Sequence, residues 1–117
     1  MGTVRPLRPE EAILIASMLR TRSKGNELLP LIPECLVEDM NDGNMGSLRF
    51  TTPDSRTRKF GKKISEAEFA DEDGILASAV INLDDQGNLF ELDIWKVDFS
   101  PLRRHPKADD LDVKIGP

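Results

Sequence analysis

The strongest constraint in this chain is a turn, Gln86-Gly87, flanked by two runs of strand-forming residues, 75–84 and 88–99. A glycine turn between alternating apolar runs signals a β-hairpin. With those two residues as the loop, Asp85 opposes Asn88, and the register brings Leu83 to Phe90, Ile81 to Leu92 and Ala79 to Ile94. Every one of those pairs is apolar. A slip of one residue would set Phe90 against Asn82 and turn the apolar set to the opposite face, so the pattern specifies its own register. The other face of the last strand carries Glu91, Asp93, Trp95 and Val97, as expected of an antiparallel strand with one wet face. Ser100-Pro101 closes it, because proline cannot donate to a ladder.

A second hairpin precedes the first. Residues 64–71 alternate, with Ala67 and Phe69 on one side and Glu66 and Glu68 on the other. Glu72-Asp73-Gly74 suits a three-residue loop with its glycine in the left-handed region. That loop places Phe69 opposite Ala77 and Ala67 opposite Ala79. The inner face of the shared strand then reads Ile75, Ala77, Ala79, Ile81, Leu83, and its alanines leave room for a helix. The helix is expected over residues 9–22. Pro9 suits the first turn, Glu10 and Glu11 its positive end, and Ala12, Ile15, Ala16 and Leu19 recur at helical spacing. Arg20, Arg22 and Lys24 lie where it should end, and Gly25 is its stop. Residues 26–33, broken by Pro30 and Pro33, read as a buried irregular connection with one short helical turn. Residues 34–40 and 47–51 form a further hairpin around the turn cluster Asn41-Asp42-Gly43-Asn44. A calcium loop there would need further acidic ligands and a terminal glutamate. The expected fold is α+β: one N-terminal helix packed on a curved antiparallel sheet of about five strands within residues 34–99. Short links make a meander the simplest order. Residues 103–117 read as an extended or partly disordered tail of a single domain, 1–117.

Bulk properties narrow the function classes. With 117 residues the chain can bury one core. A formal charge of −5 disfavours nucleic acid and favours basic or neutral partners. The single cysteine, Cys35, makes no internal disulfide and fits a reducing, cytoplasmic setting; it reads as a small core residue. No apolar run approaches the roughly 20 residues of a membrane span. The first residues lack the apolar core of a signal peptide, and Pro6 stands where a myristoylation motif needs Ser or Thr. His105 is the only histidine and falls in the expected tail. No Walker A, GxGxxG, HExxH or CxxC motif is present, so no catalytic residue, metal ligand or cofactor is assigned.

Charge is segregated along the chain. Between Glu66 and Asp98 there are ten acidic residues and one base, Lys96. The two hairpin registers set Glu66, Val80 and Asp93 in one row and Glu68, Ser78 and Trp95 in the next, on the side away from the helix. Glu66, Glu68, Glu91, Asp93 and Trp95 are therefore the candidate binding residues. Tryptophan anchors interfaces, and surrounding acids speed encounter with a basic protein. The same carboxylates could instead serve a small metal-dependent or acid–base enzyme, or the face could pair two copies of the chain. A solvated face with no partner is the plain alternative. Arg56, Arg58, Lys59, Lys62 and Lys63 form a basic stretch with only Asp54 and Phe60 among them in charge or ring. It reads as a solvated loop or as an anion contact, without the stacking platform of a single-strand binder.

Four segments, RPLRPEE, LVEDMNDGNMGSLRF, EAEFADEDG and GNLFELDIWKVDFSPL, together resemble a family of small uncharacterised bacterial proteins over most of residues 4–102. That family carries no assigned activity or catalytic residues, so the resemblance implies none here. By size and acidity such proteins compare with immunity proteins that neutralise toxins, an analogy that does not establish function. The expectation is a small acidic protein-binding module, of which an immunity-type inhibitor of a basic toxin is one form.

Overall fold

The structure is a computed structural model, described over residues 3–51 and 58–114. Seven strands form one antiparallel sheet in the order β1-β2-β3-β6-β5-β4-β7. They are β1 (Arg5–Pro6), β2 (Leu36–Asp39), β3 (Leu48–Phe50), β4 (Phe60–Ala70), β5 (Leu76–Asp84), β6 (Leu89–Lys96) and β7 (Asp112–Val113). Two helices, α1 (Pro9–Leu19) and α2 (Ser23–Leu28), and a 3-10 turn at Leu29–Glu34 link β1 to β2. The α+β class is as the sequence implied. The expected single helix is corrected to two, and the count of about five strands within residues 34–99 to seven, because the two-residue strands β1 and β7, outside that range, pair with the edges. The meander is also corrected. β3 pairs with β6 rather than β4, through Leu48↔Leu92 and Arg49↔Glu91. An apolar pair beside an opposite-charge pair is a favourable cross-strand match, and it outweighs the shorter connection.

The paired registers of β4, β5 and β6 follow the alternation closely. Phe69 faces Ala77, Ala67 faces Ala79, Ala79 faces Ile94 and Ile81 faces Leu92. The turn between β5 and β6 differs. Its loop is Asp85-Gln86-Gly87, closed by the Asp84 N–H donating to Asn88 O at 2.8 Å, with Gly87 at φ +83°. Asp84 Oδ1 accepts the N–H groups of Gln86 and Asn88, each at 2.9 Å, which selects this longer loop. Leu83 consequently pairs with Leu89, not Phe90. A bulge then absorbs one residue, and the ladder regains the expected register from Asn82↔Glu91 onward. Phe90 is the residue left over.

Helix α1 starts as its sequence dictates. Pro9 occupies the first turn, and Glu11 reaches back to accept the Arg8 N–H at 2.8 Å, which satisfies one orphan donor. It ends at Leu19, before the expected Arg22, where the chain becomes extended (φ −130°, ψ 145°) and α2 begins. Gly25 lies in α2, so it is not the stop for α1. Its role is close approach: a Cβ there would collide with the Leu19 carbonyl. Gly25→Ala should therefore destabilise the fold by about 1–3 kcal/mol through overpacking, measured by urea unfolding. Unchanged stability would show that α2 is free to shift.

The helices cover one face of the sheet. Leu14, Ile15, Met18 and Leu19 meet Ala67, Ala77, Ala79, Ile81, Leu92 and Ile94 in the core. The Ser65 hydroxyl donates to Met18 O at 3.0 Å and ties α1 to β4. No described helix is long and apolar enough to cross a membrane. The C-terminal segment returns across the molecule. Arg103 and Arg104 N–H groups donate to Asp71, Leu102 N–H donates to Asn44 O, and β7 pairs with β4 through Ala67↔Val113.

Candidate functional site

The face of the sheet away from the helices has no described element packed over it. Alternation along three neighbouring strands puts Glu66, Val80 and Asp93 in one row and Glu68, Ser78 and Trp95 in the next, as expected. Trp95 is 38 % exposed, so the C-terminal segment does not bury it. Leu76 (44 %) and Val97 (58 %) extend an apolar patch to one end of the face; Phe99 (72 %) is exposed in the turn that follows β6. Val97 is fastened there by its N–H to Leu76 O at 3.0 Å.

The carboxylates on this face are already engaged. Lys63 Nζ lies 2.7 Å from Glu66, Lys114 Nζ 2.8 Å from Glu68, and Arg49 Nη2 2.9 Å from Glu91. Asp93 accepts from the Asn82 amide at 3.2 Å. Burial, and then the neighbouring Glu91, push its carboxyl above the ordinary value. The five residues do share one face, but Arg49, Lys63 and Lys114 reduce the negative field expected from sequence alone. Lys114 and Arg49 come from distant parts of the chain, which no local reading could have placed there. Among the described residues no three His, Cys, Asp or Glu side chains converge as a metal ligand set.

The basic stretch does not form one patch. Arg56 lies outside the described residues. Arg58 is not a surface contact: its side chain is 9 % exposed and its guanidinium bonds Asp84 Oδ2 through Nε at 3.0 Å. It also donates to the carbonyls of Phe50 and Leu89 and lies 5.0 Å from the centroid of Phe90, the bulge residue. Residues 60–63 belong to β4, so the segment read as loop is partly strand. Lys59 and Lys62 are exposed, and Lys63 is held by Glu66.

A second feature was hidden in the sequence. The β2–β3 loop, the start of α1 and the segment after Pro101 enclose a polar cleft of about 350 Å³. Its floor is Glu11, 1 % exposed, gripped by Arg5 through two 2.9 Å hydrogen bonds. Arg5 also holds Asp39 at 2.8 Å. Burial pushes the Glu11 carboxyl up, but Arg5 and the Arg8 N–H outweigh it and hold it below its ordinary value. Gly46, at φ +102°, forms part of the wall, and a Cβ there would press on Leu102 at 3.2 Å. His105, assigned by sequence to a tail, lines this cleft with Nε2 buried and unpartnered among the described residues. Burial pulls its imidazole pKa below the ordinary value. The buried group that fixes this segment is Lys96. Its Nζ lies 2.8 Å from Asp71 and 2.7 Å from Asp73 and donates to Pro101 O at 3.3 Å.

Comparison with known proteins gives one match. Residues 4–106 fit a family model described as a domain of unknown function (DUF6984). No curated protein and no solved structure matches the chain.

Proposed function

The chain belongs to that family of unknown function, and we propose that it is a protein-binding module whose contact surface is the uncovered sheet face around Trp95. One observation carries this reading: Leu76, Trp95 and Val97 are all exposed at one end of a face that no described element covers. Large apolar side chains grouped on a surface favour a protein partner, and a tryptophan among them is the usual energetic anchor. The paired carboxylates form a polar rim around that anchor. The chain's charge of −5 favours encounter with a basic protein, while affinity comes from the apolar centre. An immunity-type inhibitor of a basic toxin is one form of such a module. Because Glu66, Glu68 and Glu91 have their own cations, binding should weaken only modestly with salt.

The test is affinity capture from the native host, comparing wild type with Trp95→Ala. Trp95 lies on the outer face, so the variant should fold, as circular dichroism would verify. A specifically retained protein should bind the variant at least about tenfold more weakly, the effect of losing a hot-spot side chain. An identical set held by both proteins would remove Trp95 as the anchor. If light scattering instead showed a wild-type dimer that Trp95→Ala dissolves, the occupant of this face would be a second copy.

A further inference from the structure

We infer that the polar cleft between the start of α1, the β2–β3 loop and the segment after Pro101 binds a small oxyanion, a carboxylate or phosphate, through Arg8, Arg104 and His105. The argument is an imbalance between its acids and its bases. Its carboxylates are satisfied from within: Glu11 and Asp39 by Arg5 at 2.8–2.9 Å, and Asp42 by the N–H groups of Met45 and Ser47 at 3.2 and 3.0 Å. Its guanidiniums are not. Arg8, Arg103 and Arg104 have side chains 55 %, 62 % and 59 % exposed, and their acidic neighbours stand at 3.7, 3.4 and 3.9 Å. Charge-assisted bonds of full strength fall near 2.7–2.9 Å. The rim thus offers guanidinium donors with capacity to spare, in the planar fork that matches carboxylate or phosphate.

His105 supplies an independent observation. Its Nε2 is buried without a hydrogen-bond partner among the described residues. Buried polar atoms left unpaired are rare and costly, and this one lies on the cleft wall, 4.0 Å from where a Gly46 Cβ would stand. An oxyanion held in the cleft by these guanidiniums gives the ring a partner that it can turn to meet. The space, about 350 Å³, lies at the small end of ligand sites and suits a compact metabolite. The walls are set before any ligand arrives. Asp71 holds the Arg103 and Arg104 backbone at 2.8 and 3.0 Å, and Ser47 Oγ is locked to Ile94 by two hydrogen bonds at 2.9 and 3.1 Å.

The chain's single histidine makes the test direct, because one imidazole signal reports on the site. Inorganic phosphate and succinate are titrated separately into the full-length protein while the His105 ring resonance is followed by NMR. Sodium chloride at matched ionic strength is the control. Saturable displacement by either probe, with Kd of about 1 mM or tighter, is the expected result, and the probe that saturates identifies the oxyanion. In Arg8→Gln/Arg104→Gln binding should weaken at least about tenfold. Both side chains are exposed and glutamine keeps the Arg104 N–H on Asp71, so the fold should persist. Lys59→Gln/Lys62→Gln, which removes the same charge elsewhere, should bind as wild type. A response no different from sodium chloride for both probes overturns the inference. So does equal weakening in the two double variants, which would mark a general charge effect.

Discussion

Replacing Lys96 by methionine should lower the melting temperature by on the order of 10 °C or more. Lys96 is among the largest side chains of the core with no solvent exposure. Its ammonium sits between Asp71, itself without side-chain exposure, and Asp73. Removing the cation leaves a buried carboxylate with no counter-charge, the condition under which breaking a buried pair costs most. The loss should spread beyond the pair. Asp71 also holds the Arg103 and Arg104 N–H groups, and Lys96 holds the Pro101 carbonyl, so the segment that walls the cleft hangs on the same contacts. Adding Asp73→Asn should restore part of the stability, since Oδ1 still accepts the Ile75 N–H and only the group facing the methionine loses its charge, whereas both Asp71 oxygens are needed by backbone N–H groups. A variant melting within about 2 °C of wild type would mean that water reaches Asp71 and that the site is less closed than its contacts imply.

The same group sets the acid limit. Burial raises the Asp71 carboxyl, but Lys96 and three backbone N–H donors outweigh it and hold it at about 2, against an ordinary 3.8. A carboxyl depressed in the folded state contributes stability above its unfolded pKa and loses it as pH falls through the folded one. Stability should therefore decline between about pH 4 and pH 2. In Lys96→Met the decline should begin at higher pH, because the carboxylate has lost its strongest partner. Thermal melts across this range would check the shift, and identical acid profiles would remove Lys96 as the cause.

How far the sequence could be read depended on the range of the interactions. The β4–β5–β6 registers were legible because strand alternation has period two and only one face is buried, so a wrong register would expose Ala67, Ala79 and Ile94. The row Glu68, Ser78, Trp95 followed directly. Helical spacing gave Ile15 and Leu19 of the core face of α1, but Leu14 and Met18 complete that face and Ala12 and Ala16 lie at its margin. The end of α1 was not legible, because the gap between α1 and α2 depends on a contact between Gly25 and Leu19. The β3–β6 pairing was not legible. It joins Arg49 to Glu91 across 42 positions, and nothing local distinguishes it from a link to β4. His105 was misread for a related reason. Its surroundings in sequence are polar, yet Asp71 and Asn44, both distant in the chain, carry it to the cleft. Charge was the least transferable property. Summing acids along residues 66–98 described a strongly negative face, whereas the fold supplies Lys63, Arg49 and Lys114 to three of them.

Arg58 illustrates that last point most sharply, and its removal should be the second severe substitution. Arg58→Ala should cost about 3–5 kcal/mol, as expected when one member of a buried ion pair is deleted. The guanidinium closes several local accounts at once. Its Nε bonds Asp84, whose side chain has no exposure, and its other nitrogens meet the carbonyls of Phe50 and Leu89. Those carbonyls belong to β3 and β6, so Arg58 joins the strands at the sequence-remote junction of the sheet. Its plane also covers Phe90, the residue displaced by the bulge, where Arg49 approaches from 5.7 Å. Arg58→Lys should recover only part of the loss, because an ammonium cannot span the Asp84 carboxylate and two carbonyls with a planar fork. Asp84→Asn should be severe as well: Oδ1 could still accept the Gln86 and Asn88 N–H groups, but an amide Nδ2 in place of Oδ2 would face the Arg58 Nε–H, donor against donor, and strip the buried guanidinium of its carboxylate. Urea unfolding of Arg58→Ala, Asp84→Asn and the double variant would give the coupling. If Arg58 served only as an exposed anion contact, Arg58→Ala would change stability by less than about 0.5 kcal/mol and the two substitutions would simply add. Strong non-additivity, with the double variant little worse than either single one, is the signature of a buried pair.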